Sequence, residues 1–442
     1  HQGYYRFFTF MLKFNELNLD TEVFSGKFDE FLRNKNISSK DVSETVANII
    51  SKVRNEGDIA LHDFVKKLDG YEGKDFLVRK EEIDTAFRSL DKSLLNSLEY
   101  SFEMMLKYQT HCFNSLNLES NDNEITRKFR ILDSVGMYIP GGQASYPSTV
   151  LMGAAPAIAC GVKNISICTP ATNGTLSSLS LAAAKIAGVD NIYKIGGAQA
   201  IAALALGTEQ VSKVEKIIGP GNIYVAEAKK QLFGEVGIDS IAGPSEIVIL
   251  ADDTSDPEMV AWDLMAQSEH DIDASVILIC TSKNIIEAVK EVIEKEVKFL
   301  ERSHIIVNSL NSNGLMIKID ELSQALEIIN KLAPEHLHLA YDHENSFDED
   351  KLVAGLILKG KYSANSLSDY VLGPSHILPT NSSARFSSPL SVEDFLVSYS
   401  YISLKNGPQQ KNYKELILHT SKIANAEGLT AHAKSAEIRL KD

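Results

Sequence analysis

Between about residue 130 and residue 360 the chain alternates short apolar runs with longer stretches of helical spacing, and no other feature restricts its possible folds as much. "SVGMYIPGG", "KNISICTPAT" and "GVDNIYKIGG" each hold a short β-type run. The Ala-rich segments "LSSLSLAAAKIAG" and "AQAIAALALG" are interleaved with them as helices. After residue 245 the pattern recurs, with "SEIVILAD" and "ASVILICT" as strands and "PEMVAWDLMAQSEHD" and "NIIEAVKEVIEKEV" as helices. "HIIVNS" and "LHLAY" are expected to be further strands. Strands alternating with helices at this spacing predict βαβ units and parallel sheets. The chain therefore reads as an α/β protein whose two halves abut near residue 245. Residues 40–68 and 81–111 carry helical periodicity, the first broken by Gly57 and closed by Gly70. The last fifty residues, from "SVEDFL" on, are expected to be a small helical unit.

With 442 residues the chain exceeds one ordinary core, so two or more domains are expected. Hydrophobic residues at 44% and charged residues at 23% fit a soluble globular protein. A net charge of −15 argues against a nucleic-acid-binding surface. The longest apolar run, "TVLMGAAPAIACGV", is shorter than a membrane span and is interrupted by Gly and Pro. Cys112, Cys160, Cys168 and Cys280 show no CxxC spacing and sit in apolar surroundings, which predicts buried free thiols in a reducing cytoplasm. The first ten residues, "HQGYYRFFTF", precede Met11 and read as a tag or an upstream extension. They lack the basic region and small-residue cleavage site of a signal peptide.

Several stretches carry residues suited to chemistry. In "MAQSEHDIDA", Gln267 and His270 share a face if the segment is helical, although locally a solvated helix face is the better reading. Three glycine turns, "YIPGG" (138–142), "GGAQA" (Gly196–Ala200) and "IGPGN" (Ile218–Asn222), follow apolar runs and precede helices. Glycines there let backbone N–H groups approach a phosphate, and ordinary βα turns are an equally good reading of each. No GxGxxG is present, so the usual dinucleotide fingerprint is absent. "APEHLH" sets Glu335 beside His336, where two adjacent side chains on an extended segment can serve separate proton transfers. Asp369 and His376 fall in a Gly/Pro-rich loop, and Glu427 and His432 near the C-terminus. Gln267, His270, Asp369 and His432 together suit a divalent metal. They lie in three distant segments and HExxH is absent, so spacing alone does not bring them together.

These segments resemble the histidinol dehydrogenase family. "GPGNIYVAEAKKQLFGEVGIDSIAGPSE" (Gly219–Glu246) is similar to the family's signature. "DLMAQSEHD", "LAPEHLHL", "GPSHILPTNSSARFSSPLSVEDFL" and "AEGLTAH" follow in the family's order and spacing, and the likeness runs from Met11 to near the end. The resemblance implies oxidation of L-histidinol to L-histidine through histidinal, with two NAD⁺ and one Zn²⁺ per active site. It implies Gln267, His270, Asp369 and His432 as zinc ligands, the metal orienting substrate rather than activating water. Glu335 and His336 match the acid/base pair: His336 takes the alcohol proton, Glu335 activates the water that hydrates the aldehyde, and His336 acts again in the second oxidation. Ser245, His376 and Glu427, with Gln267, His270, His336, Asp369 and His432, match substrate contacts. Tyr138, Gln199 and Asn222 match NAD contacts. The resemblance further implies a cytoplasmic homodimer in which the neighbouring subunit supplies His432 and Glu427.

The fold implied is two incomplete Rossmann-like α/β domains with parallel-rich sheets, plus small N- and C-terminal helical pieces. The boundaries expected are a segment at 11–33, a larger catalytic domain from 34–137 and 245–390, an NAD-contacting domain at 138–244, and a C-terminal domain at 391–442 that packs on the partner. One stretch departs from the family. "YSANSLSDY" (Tyr362–Tyr370) carries Asn365 where a substrate-contacting glutamate is usual, and Ser368 where glycine is usual. Losing one charge-assisted hydrogen bond costs about 1.5–3 kcal/mol of binding. Two alternatives therefore stand beside the first reading. One is a paralogous zinc- and NAD-linked dehydrogenase for another amino or sulfonated alcohol. The other is a non-catalytic α/β binding protein, which the Glu335–His336 pair disfavours.

Overall fold

The unbroken apolar runs become strands buried on both faces, as the inner strands of a parallel sheet must be. "EIVILA" and "SVILIC" are buried at every position. The computed structural model describes residues 12–35, 41–116, 120–122, 124–141, 146–189, 191–344 and 347–441. The expected tag or extension at 1–10 and Gly142 of the first glycine turn lie outside them.

In chain order the strands are β1 (Glu16–Asn18), β2 (Ser120–Asp122), β3 (Ile125–Ile131), β4 (Ser134–Tyr138), β5 (Asn164–Thr169), β6 (Asn191–Lys194) and β7 (Lys216–Ile218). They continue with β8 (Gly237–Ile238), β9 (Glu246–Ala251), β10 (Ser275–Cys280), β11 (Gly314–Lys318), β12 (His336–Leu339), β13 (Leu356–Lys359) and β14 (Leu396–Ile402). Two of the sheets are parallel, ordered β6-β5-β4-β7-β8 and β1-β11-β10-β9-β12-β13. The changeover between them falls between Ile238 and Glu246.

Helices cover these sheets, so the chain is of the α/β class. Ile286, Val289 and Ile293 recur at helical spacing on the helix Lys283–Glu296 and are buried under the six-stranded sheet. The helix Gly197–Leu206 is Ala-rich and almost wholly buried. Helices Ser43–Glu56 and Asp58–Asp69 share its core: Val46, Ile50 and Leu61 pack with Ile201, Leu204 and Val225. Those residues of the 34–137 stretch thus pack with the five-stranded sheet.

Three local expectations differ from the structure. "HIIVNS" is not a strand but part of the helix Ser303–Asn313, and the strand is the following "GLMIK". Helical spacing puts Ile306, Val307 and Leu310 together on the buried face, and that packing outweighs the β propensity of the isoleucines. The C-terminal fifty residues are not helical throughout, because "LVSYSYI" forms β14; its alternation of apolar or aromatic residues with serine is a strand pattern. The N-terminal piece is likewise mixed. Its β1 adds an edge strand beside β11, followed by the helix Phe24–Lys35.

By its contacts the chain divides into two units. One comprises the residues up to 114 together with 131–395, and it contains both parallel sheets. The other comprises 115–130 and 396–442, with the sheet β14-β3-β2 and the helices Tyr413–Ala426 and Thr430–Glu437 packed on each other. Among the described residues no helix is long and apolar enough to cross a membrane. All four cysteines are free; Cys160, Cys168 and Cys280 are buried as expected, whereas Cys112 is only partly buried.

Candidate active site

Strands β9 and β12 lie side by side and begin level with one another, His336 pairing with Ile247. Their N-terminal ends therefore bring Glu246 beside Glu335 and His336. Two reciprocal hydrogen bonds lock the first two residues. Glu246 N–H donates to Glu335 Oε2 at 2.9 Å, and Glu335 N–H donates to Glu246 Oε1 at 3.1 Å. Lys35, from the end of the helix Phe24–Lys35, pairs with the remaining oxygen, Glu246 Oε2. Burial pushes the Glu335 carboxyl up to about 7, opposed by the His336 ring.

His336 Nδ1 stands 3.0 Å from the Glu246 carbonyl oxygen, which can only accept. Nδ1 therefore carries the proton, and in the neutral ring the lone pair belongs to Nε2. That atom is buried, has no hydrogen-bond partner, and sits 3.8 Å from Asp369 Oδ1. Burial alone would depress the His336 pKa, but the Glu335 carboxylate, Asp369 and the Glu246 carbonyl hold it above the ordinary value.

The helix Pro257–Ser268 presents Gln267 to the same place and ends one residue later. His270 is thus not on the helix face expected for it. It lies in the turn beyond, where its N–H donates to the Gln267 carbonyl at 3.3 Å. The short helix Asn365–Tyr370 brings Asp369. Asn365, buried between them, donates through Nδ2 to Gln267 Oε1 at 3.3 Å and to Asp369 Oδ2 at 3.4 Å. The residue that departs from the family pattern therefore bridges two of the expected metal ligands. Burial works against the charged form of Asp369, yet His336 holds its pKa below the usual value. His376 is fixed through both nitrogens, 3.1 Å from Asp369 O and 3.2 Å from Thr149 Oγ1, and its burial lowers its pKa.

Across from these residues stand the glycine turns of the five-stranded sheet. Gly219 adopts φ +108°, and a Cβ there would fall 2.2 Å from the Tyr138 carbonyl oxygen, so only glycine fits. A buried clamp holds both of its polar groups: Asp239 accepts from Gly219 N–H and Lys229 Nζ donates to Gly219 O, while Lys229 and Asp239 pair with each other. Asn222 caps the helix Ile223–Leu232 by accepting from Tyr224 and Val225 N–H.

One cleft of about 870 Å³ gathers Ser245, Gln267, His270, Glu335, His336, Asp369, His376 and Asn222. The other two expected NAD contacts do not line it. Tyr138 is buried, its hydroxyl accepting from Gly197 N–H at 3.0 Å, and Gln199 is buried in the helix that Gly197 begins. Glu427 and His432 belong to the second unit, around the turn between its two helices, with both side chains exposed. Among the described residues no three His, Cys, Asp or Glu side chains gather as a metal cage.

Sequence reasoning missed Lys35 and Glu246. A carboxylate at the head of the otherwise apolar strand "EIVILA" is a usable signal, because a buried charge needs a partner. Nothing in the sequence points to Lys35, more than two hundred positions earlier.

A family model described as histidinol dehydrogenase matches residues 32–440. The histidinol dehydrogenase of Clostridium acetobutylicum is 43% identical over 427 residues, covering 96% of this chain and 97% of that one. The histidinol dehydrogenase of Bacillus cereus is 44% identical over 420 residues, covering 94% and 97%. Among solved structures, the histidinol dehydrogenase of Elizabethkingia anophelis superposes with a TM-score of 0.88 at 32% identity, covering 97% of this chain and 98% of that one.

Proposed function

The chain belongs to the histidinol dehydrogenase family and is an oxidoreductase, and we propose that it oxidises L-histidinol to L-histidine through L-histidinal, passing two hydrides to two NAD⁺. The observation that supports this most directly is His336 Nε2, a buried ring nitrogen with no hydrogen-bond partner, at the wall of a cleft that also holds Glu335, Gln267 and Asp369. In the first oxidation Nε2 takes the hydroxyl proton as hydride leaves the carbinol carbon, because alkoxide character must develop as the C–H bond breaks. The aldehyde cannot lose a second hydride until water has added to it. Glu335 takes a proton from that water as its oxygen adds to the carbonyl carbon, and protonated His336 returns the proton on Nε2 to the carbonyl oxygen, which frees Nε2 to accept a hydroxyl proton of the hydrate as the second hydride leaves. Nicotinamide supplies the hydride acceptor for both steps.

The residues present fit a zinc ion. An amide oxygen, a carboxylate and an imidazole from this chain, Gln267, Asp369 and His270, face one cleft and leave coordination to be completed. Bound there, zinc would hold the substrate's imidazole and amine and so fix its orientation. We place His432, as the fourth zinc ligand and a substrate contact, and Glu427, as a substrate contact, at the site of a second copy of the chain in a homodimer, where both side chains are exposed. Ser245 and His376 contact substrate from the near side. Tyr138, Gln199 and Asn222 serve NAD, the first two by shaping the Gly196–Gly197 turn and Asn222 at the cleft wall. Free thiols and a biosynthetic role suit the cytoplasm.

The test is NADH formation from L-histidinol before and after chelation. Two NADH per histidinol, lost on chelation and restored by Zn²⁺, is the expected result; no NADH from histidinol would defeat the proposal. A second reading, a relative acting on another amino or sulfonated alcohol, is favoured by Asn365 alone. Kinetics with a panel of such alcohols beside histidinol separates the two.

Glu335 also gives a pH prediction. Its carboxyl titrates near 7 and must be ionised to accept a proton from water. Histidinal oxidation is therefore expected to fall as pH drops through 7, and the raised pKa of His336, pushed up to about 9, sets a second requirement at higher pH because its ring must also be neutral to accept a proton. Glu335→Gln is expected to slow histidinal oxidation by about 10²-fold or more, slow histidinol oxidation less, and remove the lower limb of the profile. A variant that slows both steps equally, measured in single turnover, would contradict the division of roles.

A further inference from the structure

Two residues beyond His336 the same face of β12 carries a second buried histidine that the reaction does not use. His338 does not line the cleft. Its Nδ1 stands 3.1 Å from Asp263 Oδ2 and its Nε2 stands 2.8 Å from the Gly360 carbonyl oxygen. A neutral imidazole has one N–H and would leave its other lone pair against an acceptor. Both bonds form only in the imidazolium, whose charge Asp263 neutralises. Burial alone would depress the His338 pKa, yet Asp263 and the Gly360 carbonyl hold it above the usual value.

The elements joined in this way are the three that carry the site. Strand β12 begins with His336. The helix Pro257–Ser268 carries Asp263 one turn before Gln267, so the two share a face. Gly360 ends β13 and opens the turn to the helix Asn365–Tyr370, which brings Asp369. The Gly360 carbonyl also accepts from Ser363 N–H at 3.2 Å, and Gly360 N–H donates to Leu339 O at 2.9 Å. That turn is therefore tied to β12 from both sides. Asp263–His338 forms one layer beneath the cleft, and Gln267, His336 and Asp369 form the layer above it.

We propose that His338 is a positioning residue of the active site: by donating to Asp263 and to Gly360 O it fastens the Gln267 helix and the Asp369 turn to β12, and so sets where both stand relative to His336. The inference rests on the histidinol-oxidising reading for the identity of the reaction, but not for the geometry. Displacements of about 1 Å arising away from the reacting atoms can cost on the order of a hundredfold in rate.

The experiment compares His338→Leu, His338→Asn and His338→Gln with the unmodified holoenzyme. The Asn amide nitrogen stands where Nδ1 does and keeps the Asp263 bond; the Gln amide nitrogen stands where Nε2 does and keeps the Gly360 bond. Three quantities are read: Tm, kcat and KM for histidinol well below Tm, and the rate at which a chelator strips bound zinc. His338→Leu is expected to lower kcat/KM by about ten- to a hundredfold and to release zinc faster by a similar factor. His338→Asn and His338→Gln are expected to fall between Leu and the native residue in both quantities. Partial rescue by amides that each keep one bond is a result that a merely space-filling role does not give. If Tm falls while kcat/KM and zinc retention stay native in all three folded variants, the proposal is overturned. Should His338→Leu fail to fold, the two amide variants carry the same comparison. If the native enzyme makes no NADH from histidinol but zinc retention still follows the order native, amide, Leu, the substrate reading fails and the positioning role stands.

Discussion

His336→Ala is expected to lower kcat for histidinol oxidation by about 10²–10⁴-fold while leaving zinc content close to that of the native protein. The magnitude is that of a lost general base, and the structure supplies the reason for expecting it in full. The lone pair at Nε2 is fixed in place because Nδ1–H is committed to the Glu246 carbonyl, so the ring cannot present the other nitrogen without breaking that bond. No hydrogen-bond partner competes for Nε2. Retained zinc would distinguish loss of a base from loss of a ligand. Steady-state rates and elemental analysis of the same folded sample decide the matter, and turnover within about threefold of native would remove His336 from the mechanism.

Lys35→Met is expected to destabilise the protein by about 3–5 kcal/mol, measured by denaturant unfolding. Lys35 and Glu246 are almost entirely removed from water, with side-chain exposures of 11% and 3%. Their mutual attraction barely offsets the cost of burying two charges, so the pair adds little net stability; removing one partner alone strands the other charge in the interior. Against a typical folding free energy of about 5–15 kcal/mol the loss is large. Lys35→Met with Glu246→Gln is expected to recover much of it, since the amide keeps an acceptor for Glu335 N–H without a charge. A Lys35→Met variant within about 0.5 kcal/mol of native would show that the pair is solvated in solution.

The sheets are legible chiefly through strands such as β9 and β10, whose near-continuous apolar runs "EIVILA" and "SVILIC" resemble no helix of ordinary amphipathicity. "HIIVNS" failed for the converse reason: an apolar face two residues wide at helical spacing also satisfies a short strand pattern. In the site, Glu335 and His336 could be singled out because adjacency is a property of the sequence. Gln267 and His270 share a face only if the helix runs through both, and it stops between them. Asp263, His338 and Gly360 carried no signal, since their meaning arises only when three separate elements meet. In the sequence Asn365 is only a departure from the family pattern; in the fold its amide spans Gln267 and Asp369.

The cleft lies where two sheets meet by opposite edges, the strand starts β9 and β12 on one side and the strand ends β4 and β7 on the other. Helices therefore arrive at it with opposite ends. The helix Pro257–Ser268 runs toward it and finishes there, whereas Pro147–Cys160 and Ile223–Leu232 begin at its wall. The first brings its negative C-terminal end and the other two their positive N-terminal ends, each end equivalent to roughly half an elementary charge, although most of the terminal N–H groups are already capped, Tyr224 and Val225 by Asn222. The space between them is electrically polar before any ionisable side chain is counted. Helix ends of opposite sign therefore face one another across the cleft, a polarity carried by the backbone itself.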